Sequence, residues 1–303
     1  MFKIFCRNAH TSALFILISL YSNSVFAEWI PFDLKNGHII IDIEFNGVES
    51  TAMLDTGAEI NAVSILYVDK YNEGIEKGRK IRVKGVNGVM QRQTYRNIPV
   101  NIFGADVELD NLVEAGLGGH AILLGAPFFR NLIVQIDYPN SRLQVFPKKT
   151  IDLDKHENLD IKRDKSSTLP NVKVTVGDAN IWLTLDTGSN GGILVRREFA
   201  KKMEWINEET ATLDGSMSGI NSSSYTETFN IPKLQFGPYG LENIPITIPA
   251  EGESIMVGKR ERAGGMRRLS ASKDSKGLLG YDILKHFILT IDYSSYKAHI
   301  VAP

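Results

Sequence analysis

The sequence predicts an all-β protein built from two copies of one unit. Short runs of Val, Ile, Thr, Tyr and Phe alternate with turn residues along most of the chain, which is typical of β-strands. One motif, at Asp55 and again at Asp186, returns together with the pattern around it, so the chain contains an internal repeat. Its 303 residues are enough for two ordinary domains or one large one.

The composition indicates a soluble globular protein without a strong electrostatic bias. Hydrophobic residues make up 43% of the chain and charged residues 23%, proportions that are typical of this class. Because the formal net charge is −1, neither nucleic acid nor an acidic membrane surface is expected as a partner. The histidines show no metal-ligand spacing, and the sequence predicts no metal site and no cofactor.

Residues 1–27 are predicted to be a signal peptide. An apolar run over residues 13–20 follows the positive Lys3 and Arg7, and Val25-Phe26-Ala27 offers a cleavage site after Ala27. We therefore expect export to the periplasm or the medium, and no stable membrane span after the segment is removed. The alternative is an uncleaved anchor, for which the run is short because a bilayer needs about 20 apolar residues.

The only cysteine, Cys6, lies in this predicted signal peptide, so the exported chain is expected to contain none. Disulfides, thiol chemistry and cysteine metal sites are then not available to it. Its stability must come from the burial of its core.

The first copy, a predicted N-terminal lobe, covers residues 28–147. Residues 38–45 form a strand-like run that Asn46-Gly47 ends with a strong hairpin signal, and the next strand leads into Asp55. The other predicted elements are a helix over 65–71, strands over 80–84, 98–103, 107–113 and 121–125, a helix over 127–131, and a hairpin that joins 132–137 to 142–146.

Residues 148–167 separate the two copies. They are rich in Lys, Asp, Glu and Arg and contain few large apolar residues. This composition predicts a solvated, charged linker.

The second copy, a predicted C-terminal lobe, covers residues 168–303. Its mirrored segments are strands at 172–176 and 181–185, a helix over 196–203, Leu278-Leu279-Gly280, and a final run over 287–293 that matches 132–138. Gly280 lies 94 residues after Asp186, whereas Gly125 lies 70 residues after Asp55. The second copy therefore carries an insert of about 24 residues, most of it within 250–276.

A basic cluster between Lys259 and Arg268 lies in this insert. We interpret it as a solvated charged loop. The alternatives are steering of acidic substrates, contact with a partner, or a processing site.

The two copies of the motif carry the predicted chemistry. Asp55-Thr56-Gly57-Ala58 and Asp186-Thr187-Gly188-Ser189 each follow a strand-like run. One copy alone is better explained as a capped turn, but two copies in matched repeats can bring Asp55 and Asp186 together across a pseudo-twofold axis. Two carboxylates in contact cannot both ionise cheaply, so the pair would hold one proton and supply a base and an acid at once.

The neighbouring residues are predicted to support these two loops. Gly57 and Gly188 allow tight loops whose backbone N–H groups can approach the carboxylates. Thr56 and Thr187 are expected to hydrogen-bond across the axis and fix the loops against each other.

The copies differ at one position that predicts an unequal pair. Ser189 can donate a hydrogen bond to Asp186, whereas Ala58 offers Asp55 no side-chain donor. Because hydrogen bonds to a carboxylate favour its ionised form, we expect Asp186 to be the more readily ionised member.

These segments resemble the pepsin/retropepsin class of aspartic peptidases, in particular its bacterial exported single-chain members. The resemblance rests on residues 54–58, 123–125, 185–189 and 278–284 and covers nearly the whole mature chain. It implies a two-lobed acid-protease fold of duplicated small β-barrels with short helices, and an active site in the cleft between the lobes. It also implies aspartic endopeptidase activity on an extended polypeptide, and a monomer, because one chain supplies both aspartates.

Two further segments are flap candidates within this resemblance. They are Gly85-Val86-Asn87-Gly88 in the first copy and Gly219-Ile220-Asn221 in the second. Both contain fewer glycines than a retroviral flap, so whether one or both close over a substrate stays open. The alternative to an enzyme is a catalytically silent peptide-binding or regulatory module with the same fold.

Overall fold

A computed structural model describes residues 28–86, 88–165, 167–207, 210, 212–219, 223–256 and 275–303. The predicted signal peptide and the basic cluster of the insert lie outside the described residues. Within the described ranges, no helix is both long enough and apolar enough to cross a membrane.

The first half of the chain forms an N-terminal lobe around a ten-stranded sheet. Its elements are β1 (Ile30–Pro31), β2 (Asp33–Lys35), β3 (His38–Phe45), β4 (Val48–Leu54), β5 (Ala62–Ser64), α1 (Ile65–Lys70), β6 (Glu76–Gly85), β7 (Gly88–Arg96), β8 (Ile98–Ile102), β9 (Ala105–Leu109), β10 (Leu112–Ala115), β11 (Ile122–Leu124), α2 (Ala126–Phe129), β12 (Leu132–Asp137) and β13 (Arg142–Pro147). The sheet runs β6-β7-β10-β5-β11-β4-β3-β8-β9, with β2 paired to β3.

The β3–β4 hairpin shows how the local sequence forms this lobe. Ile41, Ile43 and Phe45 are buried at every second position of β3, which places them on the core face of the sheet. Asn46 and Gly47 then adopt left-handed φ angles of 47° and 79°. Asn tolerates this conformation and Gly adopts it freely, so the predicted tight hairpin is confirmed.

The second half of the chain forms a C-terminal lobe around an eight-stranded sheet. Its elements are β14 (Ile161–Arg163), β15 (Pro170–Val176), β16 (Ala179–Leu185), β17 (Ile193–Val195), α3 (Arg197–Lys202), β18 (Leu213–Ser218), β19 (Ser223–Phe236), β20 (Tyr239–Pro249), β21 (Gly277–Leu279), α4 (Tyr281–Leu284), β22 (Ile288–Asp292) and β23 (Lys297–Val301). The sheet runs β14-β15-β16-β21-β17-β20-β19-β18.

The same arrangement of three strands lies at the centre of each lobe. In the first lobe, β11 is parallel to β4 and antiparallel to β5, and Leu124 pairs with Leu54. In the second, β21 is parallel to β16 and antiparallel to β17, and Leu279 pairs with Leu185. The chain is thus an all-β protein of two equivalent lobes, as predicted.

A third sheet joins the lobes, in the order β1-β13-β12-β22-β23. The two terminal hairpins, predicted only as the ends of their own copies, pair with each other through β12 and β22. Val134 lies opposite Ile291, and the Gln135 amide donates to the Thr290 hydroxyl at 2.8 Å. This pairing joins one copy to the other, so comparing the two copies could not predict it.

The interpretation of residues 148–167 as a solvated linker needs correction. Ile161–Arg163 forms β14 and pairs with β15 in the C-terminal sheet. Leu153 and Leu159 are buried, with 5% and 3% of their surface exposed, and Leu159 belongs to the main core. The charged residues dominate the composition of this stretch and mask the few apolar side chains that attach it to the protein.

The strand predicted over residues 107–113 is two strands. β9 ends at Leu109 and β10 begins at Leu112. Asn111 lies between them at a φ of 58°, a left-handed conformation that interrupts extended backbone.

We expect Leu159→Ala to lower the free energy of unfolding by about 2–5 kcal/mol, because a buried leucine would lose its packing and leave a cavity. Leu66→Ala, on the 70% exposed Leu66 of α1, is the matched control. It should change stability by less than about 0.5 kcal/mol, as a substitution in a solvated linker would. Urea unfolding followed by tryptophan fluorescence measures both. Equally small effects would restore the linker interpretation.

Candidate active site

Asp55 and Asp186 each begin the loop that follows a central strand, β4 in one lobe and β16 in the other. The Asp55 N–H donates to the Leu124 carbonyl at 3.0 Å, and the Asp186 N–H donates to the Leu279 carbonyl at 3.0 Å. Strands β11 and β21 therefore hold each loop to its own lobe. This is why a Leu-Leu-Gly segment accompanies each aspartate in the repeat.

Thr56 and Thr187 join the two loops across the pseudo-twofold axis. The Thr187 hydroxyl accepts from the Thr56 N–H at 3.0 Å and donates to the Leu54 carbonyl at 3.0 Å. The Thr56 hydroxyl accepts from the Thr187 N–H at 3.0 Å and donates to the Leu185 carbonyl at 2.8 Å. All four bonds are buried, so the predicted bonding across the axis is confirmed.

The carboxyl groups of Asp55 and Asp186 meet at the axis and hydrogen-bond to each other. The Gly57 N–H donates to Asp55 Oδ1 at 2.8 Å, and the Gly188 N–H donates to Asp186 Oδ1 at 2.9 Å. A β-carbon on Gly57 would lie 2.3 Å from Asp186 Cγ, and one on Gly188 would lie 2.4 Å from Asp55 Cγ. Glycine at both positions is therefore what allows the carboxyl groups to approach.

Burial raises the pKa of both carboxyl groups. The pKa of Asp186 is raised well above the ordinary aspartate value, first by burial and then by the negative charge of Asp55. Burial also raises the pKa of Asp55, but the hydrogen bonds from Asp186 and Gly57 and the charge of His38 oppose this effect. The pair therefore retains a proton at pH values at which an exposed aspartate is ionised.

The expected role of Ser189 is wrong. Its Oγ lies against Gly280 and, within the described residues, forms no hydrogen bond with Asp186. The Ser189 backbone N–H does donate to Asp186, but the Ala58 N–H donates to Asp55 in the same way. The difference between the copies at this position therefore does not favour ionisation of Asp186.

His38 makes the surroundings of the two carboxyl groups unequal, because its charge acts on Asp55. It is the first residue of β3. Because Ile39 pairs with Leu54 in the antiparallel β3–β4 hairpin, the same register places His38 opposite Asp55. Its positive charge lowers the pKa of Asp55, while burial lowers the pKa of His38 and the charge of Asp55 opposes this. Its Nδ1 is buried without a hydrogen-bond partner among the described residues. Sequence analysis assigned His38 no role, and its only signal was its register opposite Asp55.

Tyr138 and Tyr293 hold equivalent places after β12 and β22. The Tyr293 hydroxyl donates to the Thr56 carbonyl at 3.2 Å. The Tyr138 hydroxyl is buried without a partner in the part of the chain that the structure describes. Burial raises the pKa of both phenols, and the charge of Asp186 adds to the effect at Tyr138. The repeat aligned these tyrosines, but it contained no signal that they reach the active-site loops.

The first flap candidate lies at the tip of the hairpin formed by β6 and β7. Gly85 ends β6, Gly88 begins β7 and Val86 lies between them. Asn87 is outside the described residues. The tip extends to the other lobe, where the Val86 carbonyl accepts a hydrogen bond from the Met256 N–H at 2.6 Å.

The second flap candidate lies between β18 and β19. Gly219 directly follows β18, whereas Ile220 and Asn221 are outside the described residues. Whether either segment closes over a substrate stays a prediction.

The groups that surround the carboxyl pair are N–H donors, hydroxyls and one imidazole. Within the described ranges, no three His, Cys, Asp or Glu side chains are grouped so that they could hold a metal ion. Such groups can hold a shared proton and orient a water molecule or a carbonyl against the carboxyl pair.

Comparisons with known protein families match the two lobes separately. Residues 41–131 match the family described as gag-polyprotein putative aspartyl protease. Residues 172–283 match the family described as Aspartyl protease. The first match contains Asp55 and the second contains Asp186. A comparison with curated proteins gave no match.

We expect Thr56→Val to destabilise the chain by about 1–3 kcal/mol for each of two groups that it leaves unpaired, the Thr187 N–H and the Leu185 carbonyl. Thr56→Ser keeps the hydroxyl and is the matched control, because it should lose only a methyl group. Urea unfolding of the two variants measures the difference. Equal stability of the valine and serine variants would show that these bonds contribute nothing to holding the loops.

Proposed function

Because this chain is a retropepsin-like aspartic peptidase by family, with one aspartyl protease unit in each lobe, we propose that it is an active endopeptidase. The observation that carries the proposal is the contact between the carboxyl groups of the half-buried Asp55 and the buried Asp186. Both come from one chain, so a monomer is sufficient to form the pair.

The proposed reaction uses one water molecule and one shared proton. Ionised Asp55 takes a proton from the water while the water oxygen bonds to the peptide carbonyl carbon. Protonated Asp186 donates its proton to the carbonyl oxygen in the same step. The tetrahedral intermediate then breaks its C–N bond. Asp55 gives its proton to the departing nitrogen and Asp186 recovers one from the intermediate, which restores the starting pair. This mechanism requires neither a metal ion nor a covalent intermediate.

The assignment of these two roles rests on the surroundings of the pair. His38 favours a negative charge on Asp55, whereas none of the main influences on the pKa of Asp186 comes from a positive charge. Asp55 is therefore the base and Asp186 the acid in the first step, opposite to the order that Ser189 suggested.

The proposed substrate is an extended polypeptide. The β6–β7 hairpin reaches from the first lobe to the second, and its tip offers the Val86 carbonyl as a backbone acceptor. A peptide that pairs with such an edge satisfies its own backbone groups in the way that an added β-strand does. The alternative, a catalytically silent module, would bind the same peptide without cutting it.

We also propose that residues 1–27 direct export of the protein to the periplasm or the medium. The support is the sequence pattern of a positive start, an apolar run and a small-residue cleavage site. Mass spectrometry of the purified exported chain tests this, with Glu28 as the expected first residue. Recovery of a chain that keeps residues 1–27 would favour the anchor instead.

We expect Asp55→Asn and Asp186→Asn each to lower the rate of peptide hydrolysis by about 10²-fold to 10⁴-fold, because each removes one half of the acid–base pair. The assay follows cleavage of a denatured mixed protein substrate at several acidic pH values, with and without a pepstatin-type transition-state analogue. Asp42→Asn, at an exposed position of β3, is the matched control and should retain activity.

Two outcomes of this assay would count against the proposal. Cleavage that persists in both active-site variants would remove the carboxyl pair from the mechanism. A wild-type protein that binds the analogue but cleaves nothing at any pH would favour the silent module.

We expect His38→Gln to move the acidic limb of the pH–rate profile to higher pH. Protonated His38 lowers the pKa of Asp55, so without it Asp55 takes up its proton at a higher pH as the pH falls. Ser189→Ala is the matched comparison and should leave this limb in place, because the Ser189 hydroxyl does not bond to Asp186. A profile that moves with Ser189→Ala and not with His38→Gln would reverse the assignment of the two roles.

A further inference from the structure

A small apolar cluster of the C-terminal lobe is completed by a side chain from the long insert. Ile255 is 1% exposed and packs against the buried Leu194 and Leu278. Val86 from the first lobe's flap candidate and Met217 from β18 pack against the same cluster. We call the space lined by Leu194, Leu278, Val86 and Met217 the C-lobe pocket.

The C-lobe pocket lies beside the second active-site loop. Leu278 pairs with Thr184, two residues before Asp186, and it also pairs with Leu194. The next residue, Leu279, belongs to the main core and accepts the hydrogen bond from the Asp186 N–H. Because side chains alternate across a strand, Leu278 and Leu194 face away from that core, on the side that the flap tip reaches.

The N-terminal lobe covers the equivalent surface in a different way. Ala62 and Leu123 hold the places of Leu194 and Leu278 in the repeat. Their buried neighbours are Val83 of the flap hairpin, Val113 and Ala115 of β10, and Leu117 shortly after β10, all from the same lobe. Only the second lobe uses a residue of the long insert for this purpose.

The backbone next to Ile255 also takes part in the contact. A turn closed by the hydrogen bond from the Glu253 N–H to the Ala250 carbonyl, at 3.0 Å, follows β20. The Met256 N–H then donates to the Val86 carbonyl at 2.6 Å. A peptide bound as an added strand would form a hydrogen bond of this kind with the flap.

We propose that residues 253–256 are a built-in ligand of the cleft, in which Ile255 occupies an aliphatic side-chain pocket and Met256 occupies a backbone acceptor of the flap. A substrate that uses the C-lobe pocket must displace this segment. Because the pocket is lined by aliphatic side chains and a methionine, it selects a branched aliphatic residue of the substrate. This inference rests on the proposed function, whose cleft and substrate it specifies further.

The consequence is a protein that holds back its own activity. When a bound segment must leave before a ligand can enter, only the molecules whose segment has left can bind the ligand. The apparent affinity is then the intrinsic affinity multiplied by the fraction of such molecules. Weakening the segment therefore tightens the binding of substrate, even though the active-site residues are unchanged.

The first test compares Ile255→Ala with the wild type. We expect the KM for a peptide substrate, and the Kd of a pepstatin-type inhibitor by calorimetry, to fall about tenfold in the variant. Ile231→Ala, in the core of the same lobe, is the matched control, since it should lose stability without gaining affinity. A peptide series that carries Ile, Leu, Val or Asp at each substrate position in turn tests the selectivity of the pocket. At one position, the peptides with Ile, Leu or Val should have a lower KM than the peptide with Asp.

The outcomes separate this inference from the proposed function. Unchanged or weaker inhibitor binding by Ile255→Ala, or an inhibitor that binds neither protein, would overturn the built-in ligand. If the wild type and the variant both cleave nothing while the variant binds the inhibitor more tightly, the proposed function fails and the built-in ligand stands.

A second variant tests the same proposal in case Ile255→Ala fails to fold. Val86→Cys combined with Ile255→Cys, in a chain carrying Cys6→Ser, places two thiols in the contact between flap and segment. We expect oxidation to form a disulfide that lowers inhibitor binding at least about tenfold, and a reductant to restore it. Val86→Cys alone is the control. A cross-linked protein that binds inhibitor as well as the reduced one would contradict the proposal.

Discussion

The hydrogen bonds that Thr56 and Thr187 exchange across the axis are the constraint on which the site depends. They join residues that are 131 positions apart and are buried on both sides. With the two loops fixed in this way, the carboxyl groups that precede the threonines come into contact, and the residues that follow must be glycine. Burial in this contact is also the first cause of the raised pKa of each aspartate. The chemistry of the pair is therefore a consequence of how the loops are joined.

The frame around the pair is symmetrical, but its surroundings are not. His38 lies only on the side of Asp55, and of the two equivalent tyrosines only Tyr293 bonds to an active-site loop among the described residues. The flap hairpin of the first lobe reaches the second, where Ile255 of the insert fills the pocket next to it. A repeat supplies two equal carboxyl groups, and these unequal neighbours would give each of them a different task.

The parts of the fold that were predicted correctly are those that occur in both copies of the repeat. The Asp-Thr-Gly loops, the Leu-Leu-Gly strands and the terminal hairpins recur in both copies, so each copy supports the interpretation of the other. Two of the errors concern features that occur once, the segment between the copies and the sheet that joins them. Residues 148–167 look solvated because charged residues outnumber Leu153 and Leu159, although both leucines are buried. The pairing of β12 with β22 joins one copy to the other, and no sequence pattern within either copy indicates it.

The sequence by itself determined the two lobes, the two aspartates and the residues that support them, because periodicity, turn residues and repetition are properties of neighbouring positions. Only the tertiary structure decided which carboxyl group lies near His38, that the Ser189 hydroxyl turns toward Gly280, and what fills the C-lobe pocket. Each of these depends on contacts between segments far apart in the chain. Such contacts follow from packing and hydrogen-bond geometry in three dimensions, which impose no regular spacing on the residues that make them.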